Sequence, residues 1–104
     1  MKIFISQPMA GRTEEEILTE RSLAIKDLKS IFGDKVEVLH SYCSDPKPPL
    51  YLLGKALQTM AYADMVCFID GWRESRGCAI EYECAIKYGI ECFELLYKED
   101  NYEN

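Results

Sequence analysis

Apolar residues follow two rhythms along this chain, and the switches between them mark its elements. Residues 2–5 read as a short apolar strand, and residues 6–12 (SQPMAGR) as a loop holding a proline and a glycine. Thr13 then opens a helix: its hydroxyl can cap the first free amides, and Glu16 stands at the capping-box spacing. Ile17, Ala24, Leu28 and Ile31 recur at helical spacing up to Gly33, which predicts a helix over 14–32. Residues 35–39 (KVEVL) alternate and predict a second strand. Three prolines forbid regular structure in 40–49, and Leu53, Ala56, Leu57, Met60 and Ala61 then mark a helix over 49–62. Residues 65–69 (MVCFI) are apolar throughout, as in a central strand buried on both faces. A polar loop over 70–76 (DGWRESR), a third helix over 77–89 and a fourth strand over 90–96 complete the pattern. Residues 98–104 (KEDNYEN) read as an acidic, solvated C-terminal tail, which leaves 1–97 as a single domain.

The order is β-α-β-α-β-α-β, an α/β chain. Strands joined by single helices run parallel with right-handed crossovers. The expected architecture is a small doubly wound, flavodoxin-like three-layer fold, its four-stranded parallel sheet in the order 2-1-3-4. Ligands of such sheets sit beyond the carboxyl ends of the strands, where the strand order reverses. That crevice lies between strands 1 and 3, and the loops facing it are 6–12 and 70–76. They are the most polar, glycine-bearing loops of the chain, so topology and composition point to one place.

Composition narrows the class. Leu, Ile, Val and Phe make up a quarter of the 104 residues, enough for a modest packed core. Twelve basic against 18 acidic residues give a formal net charge of −6, which argues against binding to a nucleic acid polymer or an anionic membrane. A small anionic ligand needs only one local arginine and a few backbone donors, so it stays open. No apolar run approaches a transmembrane helix, and the N-terminus enters a strand directly rather than a signal peptide. Five cysteines without a C-x-x-C pair argue against a disulfide framework or a zinc site, and for a reducing compartment; the expected location is cytoplasmic. His40 is the sole histidine, so neither a histidine metal cluster nor a Ser-His-Asp triad is expected, and no metal or cofactor is required.

Candidate chemistry falls on the two loops and the third helix. The first loop offers Ser6, Gln7, Pro8, Met9, Gly11 and Arg12 ahead of a helix N-terminus, where free amides and Arg12 favour an anion. A capped helix with Arg12 as a surface charge accounts for the same residues. Neither G-x-x-x-x-G-K-[ST] nor G-x-G-x-x-G is present, which excludes a P-loop and makes a dinucleotide an unsuitable ligand. The second loop carries Asp70, Trp72, Ser75 and Gly77. Ser75 can cap the third helix or bind a phosphate oxygen, and Trp72 can stack on a base or close the edge of the core. On the third helix Cys78, Tyr82, Ala85 and Gly89 form one stripe, which Glu81 flanks one turn inside the helix. A carboxylate held there can attack a sugar carbon; an exposed helix glutamate is the commoner fate. Cys78, at the helix start, reads as a packing residue.

The segments F-I-S-Q-P-M-A-G-R (4–12) and G-W-R-E-S-R-G-C-A-I-E-Y-E-C-A (71–85) together resemble the nucleoside 2-deoxyribosyltransferase superfamily, in particular its small phage and gut-bacterial branch of domains of unknown function. That branch carries P-M-x-G-x after strand 1 and W-x-x-S-x-G-A-x-x-E before helix 3, and the likeness follows the order of elements over nearly the whole chain. The resemblance implies cleavage of the N-glycosidic bond of (deoxy)nucleosides or nucleotides. It implies a glutamate nucleophile in G-x-x-x-E, which is Gly77 and Glu81 here, and a phosphate contact at Ser75. Residues 6–12 match the loop holding sugar or phosphate, and His40-Ser41-Tyr42 a loop near the base. The enzymes also carry an acid near the start of the second helix, whereas residues 53–57 (LGKAL) have none; Asp70 and Glu74 are the acids of the second loop.

Two readings follow. The first is a nucleoside or nucleotide N-glycosidase or 2-deoxyribosyltransferase-like protein with Glu81 as nucleophile and a small-molecule nucleoside or nucleotide as partner. The second is a non-catalytic nucleotide-binding or sensing module on the same fold; an oligomeric scaffold with an empty crevice is a third possibility. Glu81, Ser75 and residues 6–12 should surround one pocket. Ile80 and Cys84 oppose the Cys78 stripe, so helix 3 presents two apolar faces, and a homodimer or higher symmetric oligomer through helix 3 and helix 2 is expected.

Overall fold

The computed structural model describes residues 1–40 and 42–97. The elements in chain order are β1 (Lys2–Ser6), α1 (Glu14–Phe32), β2 (Glu37–Val38), α2 (Pro49–Met60), β3 (Met65–Ile69), α3 (Arg76–Lys87) and β4 (Glu91–Leu95), with one 3₁₀ turn at Trp72–Glu74 ahead of α3. The sheet is four-stranded and parallel throughout, in the order β2-β1-β3-β4. Strand order, strand direction and helix count are those the hydrophobic pattern predicts.

Local sequence explains the helix starts. Thr13 accepts from the Glu16 amide while the Glu16 carboxylate accepts from the Thr13 amide, the reciprocal pair of a capping box. Ser75 caps α3 by accepting from the Cys78 amide, which starts that helix at Arg76, one residue earlier than its apolar pattern indicates. Pro49 occupies the first turn of α2, where its missing N–H leaves no bond unmade.

Two apolar layers sandwich the sheet. On the α1 side Ile3, Ile5, Met65, Cys67 and Ile69 pack against Ala24, Leu28 and Val36. On the other side Phe4, Val66 and Phe68 pack against Met60, Trp72, Cys78 and Ala85. All five residues of β3 are buried, as its unbroken apolar run requires of a strand covered on both faces. Several boundaries differ from the sequence pattern, with α3 ending at Lys87 rather than at 89 and β4 spanning Glu91–Leu95 rather than 90–96. The second strand is only two residues long, although the Leu39 amide still donates to the Ile3 carbonyl before the proline-bearing loop takes over. α2 ends at Met60 rather than at 62. Ile31 is exposed instead of buried. The inward stripe of α1 runs through Ile17, Arg21, Ala24 and Leu28, and in the last turn it continues to Phe32, four residues after Leu28, rather than to Ile31. Phe32, not Ile31, turns inward there and meets Phe93 edge-on at 5.3 Å.

Candidate functional site

The last residue of β1 and the middle of α3 meet at the carboxyl end of the sheet. Ser6 lies beside Phe68 in the β1–β3 register, which places its hydroxyl at the strand end facing α3. Its Oγ donates to Glu81 Oε1 at 2.6 Å, and both side chains are buried. Glu81 is 7 % exposed, on the same inward stripe as Cys78 and Ala85. Burial pushes its carboxyl up to about 7, while the Ser6 hydrogen bond pulls the other way. None of the ion pairs among the described residues includes Glu81. The Cys78 thiol is raised by its own burial first; hydrogen bonds with Ser6 and Ser75 oppose the shift and the Glu81 charge adds to it. Ser6, Ser75, Cys78 and Glu81 thus form one contiguous polar cluster between β1 and the start of α3.

The rest of the first loop is turned toward α1. Gln7 is buried, and its Nε2 donates to the Ile17 carbonyl at 2.8 Å and to Glu20 Oε1 at 2.9 Å. Arg12 folds back: its Nη1 donates to the Pro8 carbonyl at 3.0 Å and to Glu20 Oε1 at 2.7 Å. Arg12 is therefore neither a loose surface charge nor an anion receptor in this conformation. Met9 closes the turn by accepting the Arg12 amide, with Gly11 at φ +75°. The two loops touch at Gly71, which adopts φ +82°; the Pro8 ring lies 3.7 Å from where a β-carbon would stand.

The second loop divides its residues between core and sheet edge. Trp72 is 5 % exposed and closes the edge of the core. It packs 4.7 Å from Phe68 and 4.8 Å from Tyr82, with the Arg73 guanidinium over its ring and its Nε1 donating to Glu94. Its ring is thus occupied by neighbours rather than offered to a base. Asp70 accepts the Tyr97 amide at 2.6 Å. Gly77 stands in the first turn of α3 with open space around the site of a β-carbon.

Two grooves open near the two loops. One, of about 460 Å³, runs along α1 and is lined by Arg12, Glu16, Glu20, Asp70 and Tyr97 among others. The other, about 220 Å³, lies over Trp72, Tyr82 and Glu94. Glu81 lines neither of these two grooves; its Oε1 accepts from the Ser6 hydroxyl. Among the described residues no group of three or more His, Cys, Asp or Glu stands close enough to hold a metal ion, and no helix is long and apolar enough to cross a membrane.

Sequence reasoning passed over two residues here. Glu20 gathers Gln7 and Arg12 onto one carboxylate oxygen. Arg21 is buried on the inward face of α1, with Nη2 donating to the Leu39 carbonyl. The signal for Arg21 was available: positions 17, 21, 24 and 28 form one helical stripe, and a charge inside an apolar stripe marks a buried polar function. Glu20 left no such signal, since its partners arrive through the loop's tertiary path. Of the proposed base-side loop, Tyr42 has its phenol raised by desolvation first and by the charge of nearby Glu14 second; Ser41 lies outside the described residues.

Residues 1–94 match the family described as Domain of unknown function (DUF4406), and the chain belongs to that family. A search of curated proteins finds no match.

Proposed function

We propose that this DUF4406 member is a nucleoside or nucleotide N-glycosidase, or a 2-deoxyribosyltransferase-like enzyme, with Glu81 as its nucleophile. The observation that carries the reading is the buried Glu81 carboxyl at the carboxyl end of the sheet, accepting from Ser6. A carboxylate in that position suits the two-step logic of retaining glycosidases. Its oxygen attacks C1′ as the bond to the base breaks, and the base leaves with the bonding pair and takes up a proton. Water, or a second base, then attacks C1′ of the glycosyl ester and releases the carboxylate. The Ser6 hydroxyl steadies the ionised form between turnovers. Ser75, Gly77 and residues 6–12 contribute the walls against which sugar and phosphate are held. Free rotation of Ser6 away from Glu81 is the local opening that admits the sugar.

Base release from a panel of nucleosides and 5′-monophosphates tests this. Glu81→Gln keeps the shape and loses the nucleophile, so release is expected to fall by at least about a thousandfold while ligand binding persists. Because the ionised form attacks, kcat/KM is expected to rise with pH through about 7 and to level off above it. Equal turnover by wild type and Glu81→Gln would remove Glu81 from the mechanism.

One observation favours the second reading, a nucleotide-binding module without turnover. Neither the first turn of α2 nor residues 53–57 in its middle supply an acid, and Asp70 is engaged by the Tyr97 amide. Ligand-induced melting shifts without base release from any member of the panel would select it.

A further inference from the structure

Two buried polar atoms have no hydrogen-bond partner among the described residues: Gln7 Oε1 and Arg21 Nη1. They are of opposite kinds, one acceptor and one donor. Turning the Gln7 amide over does not cure the mismatch, because Nε2 already donates to two acceptors, the Ile17 carbonyl and Glu20. Arg21 is 7 % exposed and uses only Nη2, on the Leu39 carbonyl at 3.0 Å. No carboxylate pairs with it among the described residues, and burial lowers its pKa from the ordinary guanidinium value. A guanidinium does not shed its proton in a protein, so this is a buried positive charge without a counter-ion. Both side chains flank the same turn of α1, since Gln7 bonds the Ile17 carbonyl one turn before Arg21. Both also stand where β1 and β2 end, at Ser6 and Leu39.

The pair calls for an anion that can also donate a hydrogen bond. A carboxylate only accepts. A phosphate monoester, part-protonated near neutral pH or carried beside a sugar hydroxyl, does both. We propose that Arg21 and Gln7 form a phosphate site, in which Arg21 Nη1 donates to a phosphate oxygen and Gln7 Oε1 accepts from the ligand's hydroxyl. Nη1 and Gln7 Oε1 are both closed to solvent in this conformation, so binding requires a local opening that exposes the two together. The site does not depend on Glu81 or on base release.

Inorganic phosphate is the first probe, read by the Arg21 guanidinium ¹⁵N resonances of the wild-type protein and by thermal melting. At about ten times its Kd, phosphate is expected to raise Tm by roughly 6–10 °C and to shift those resonances. Arg21→Met is expected to weaken phosphate binding by roughly 10–100-fold. Arg21→Met is also expected to melt higher than wild type without phosphate, since it removes an unpaired buried charge. Lys87→Gln, which removes one exposed charge elsewhere, should change neither. If Arg21→Met does not fold, the wild-type resonances still decide: no shift at millimolar phosphate overturns the proposal, as does undiminished phosphate binding by Arg21→Met. Comparing deoxyadenosine with its 5′-monophosphate separates the sources. A loss confined to the monophosphate identifies a nucleotide, and a loss confined to inorganic phosphate identifies the free ion. Base release unaffected by Arg21→Met, together with unchanged phosphate binding, sinks this site and leaves the Glu81 reading intact. Phosphate binding at Arg21 without base release does the reverse.

Discussion

Glu81 carries a conflict between chemistry and stability. Its carboxyl in the folded chain holds a proton up to about 7, against 4.5 for an ordinary glutamate. Between those values the folded protein binds one proton more than the unfolded chain, so stability falls as pH rises. The contribution is fully present below 4.5, is lost on the way to about 7, and is flat above. Its size is at most about 3 kcal/mol. Glu81→Gln never ionises, so urea melts should find it more stable than wild type at about pH 8 and closer to wild type at about pH 5. A wild-type advantage at the higher pH would mean that the carboxylate is better solvated than its burial implies. Ser6→Ala removes the hydrogen bond that opposes the shift. The Glu81 carboxyl should then titrate at higher pH by ¹³C NMR, and any pH–rate midpoint should move with it.

α3 is the element on which stability and binding can be separated. Its stripe of Cys78, Glu81 and Ala85 faces the sheet, and Ser75 holds its first turn. Gly77 has no left-handed φ, and a methyl group placed on its α-carbon would meet nothing within 4 Å. Gly77→Ala should therefore fold normally and gain about 0.5 kcal/mol from reduced chain entropy. If Gly77 lets sugar or phosphate approach the helix backbone, the same methyl blocks that approach, and nucleotide affinity should drop at least about tenfold. Wild-type affinity in Gly77→Ala would take this glycine out of the binding surface. The helix's outer side leaves Ile80 and Ile86 exposed, whereas Cys84 is half-buried against the α2–α3 layer rather than open.

At the scale of the whole molecule, α2 and α3 leave several large apolar side chains exposed. Leu50, Tyr51, Ile80, Ile86 and Tyr88 are all exposed there or just beyond. We expect a second copy of the chain to cover this surface about a twofold axis, because a 104-residue domain buries too little of its own chain to leave such area unused. Sedimentation at micromolar protein should give twice the 12.0 kDa chain mass. Ile80→Glu should return it to a monomer that still folds. A wild-type species of 12.0 kDa under those conditions contradicts the expectation.

Local patterning was enough to determine the architecture. Thr13 and Glu16 start α1, Ser75 starts α3, and the unbroken run at 65–69 identifies the central strand, because caps and periodicity act over a few residues. Single-helix connections then leave few strand orders, and the observed β2-β1-β3-β4 is the one expected. The meeting of Ser6 with Glu81, 75 positions apart, was legible only as a shared crevice; the 2.6 Å bond required the β1–β3 register. Trp72 and Arg12 looked alike in sequence, as large polar-tipped side chains on ligand-facing loops. Tertiary packing decided them differently, setting one into an aromatic cluster and the other onto Glu20. The unmade bonds at Gln7 and Arg21 belong wholly to the folded state. A hydrogen bond left unmade is a property of surroundings, and those surroundings come from a strand, a helix and a loop that only the fold brings together.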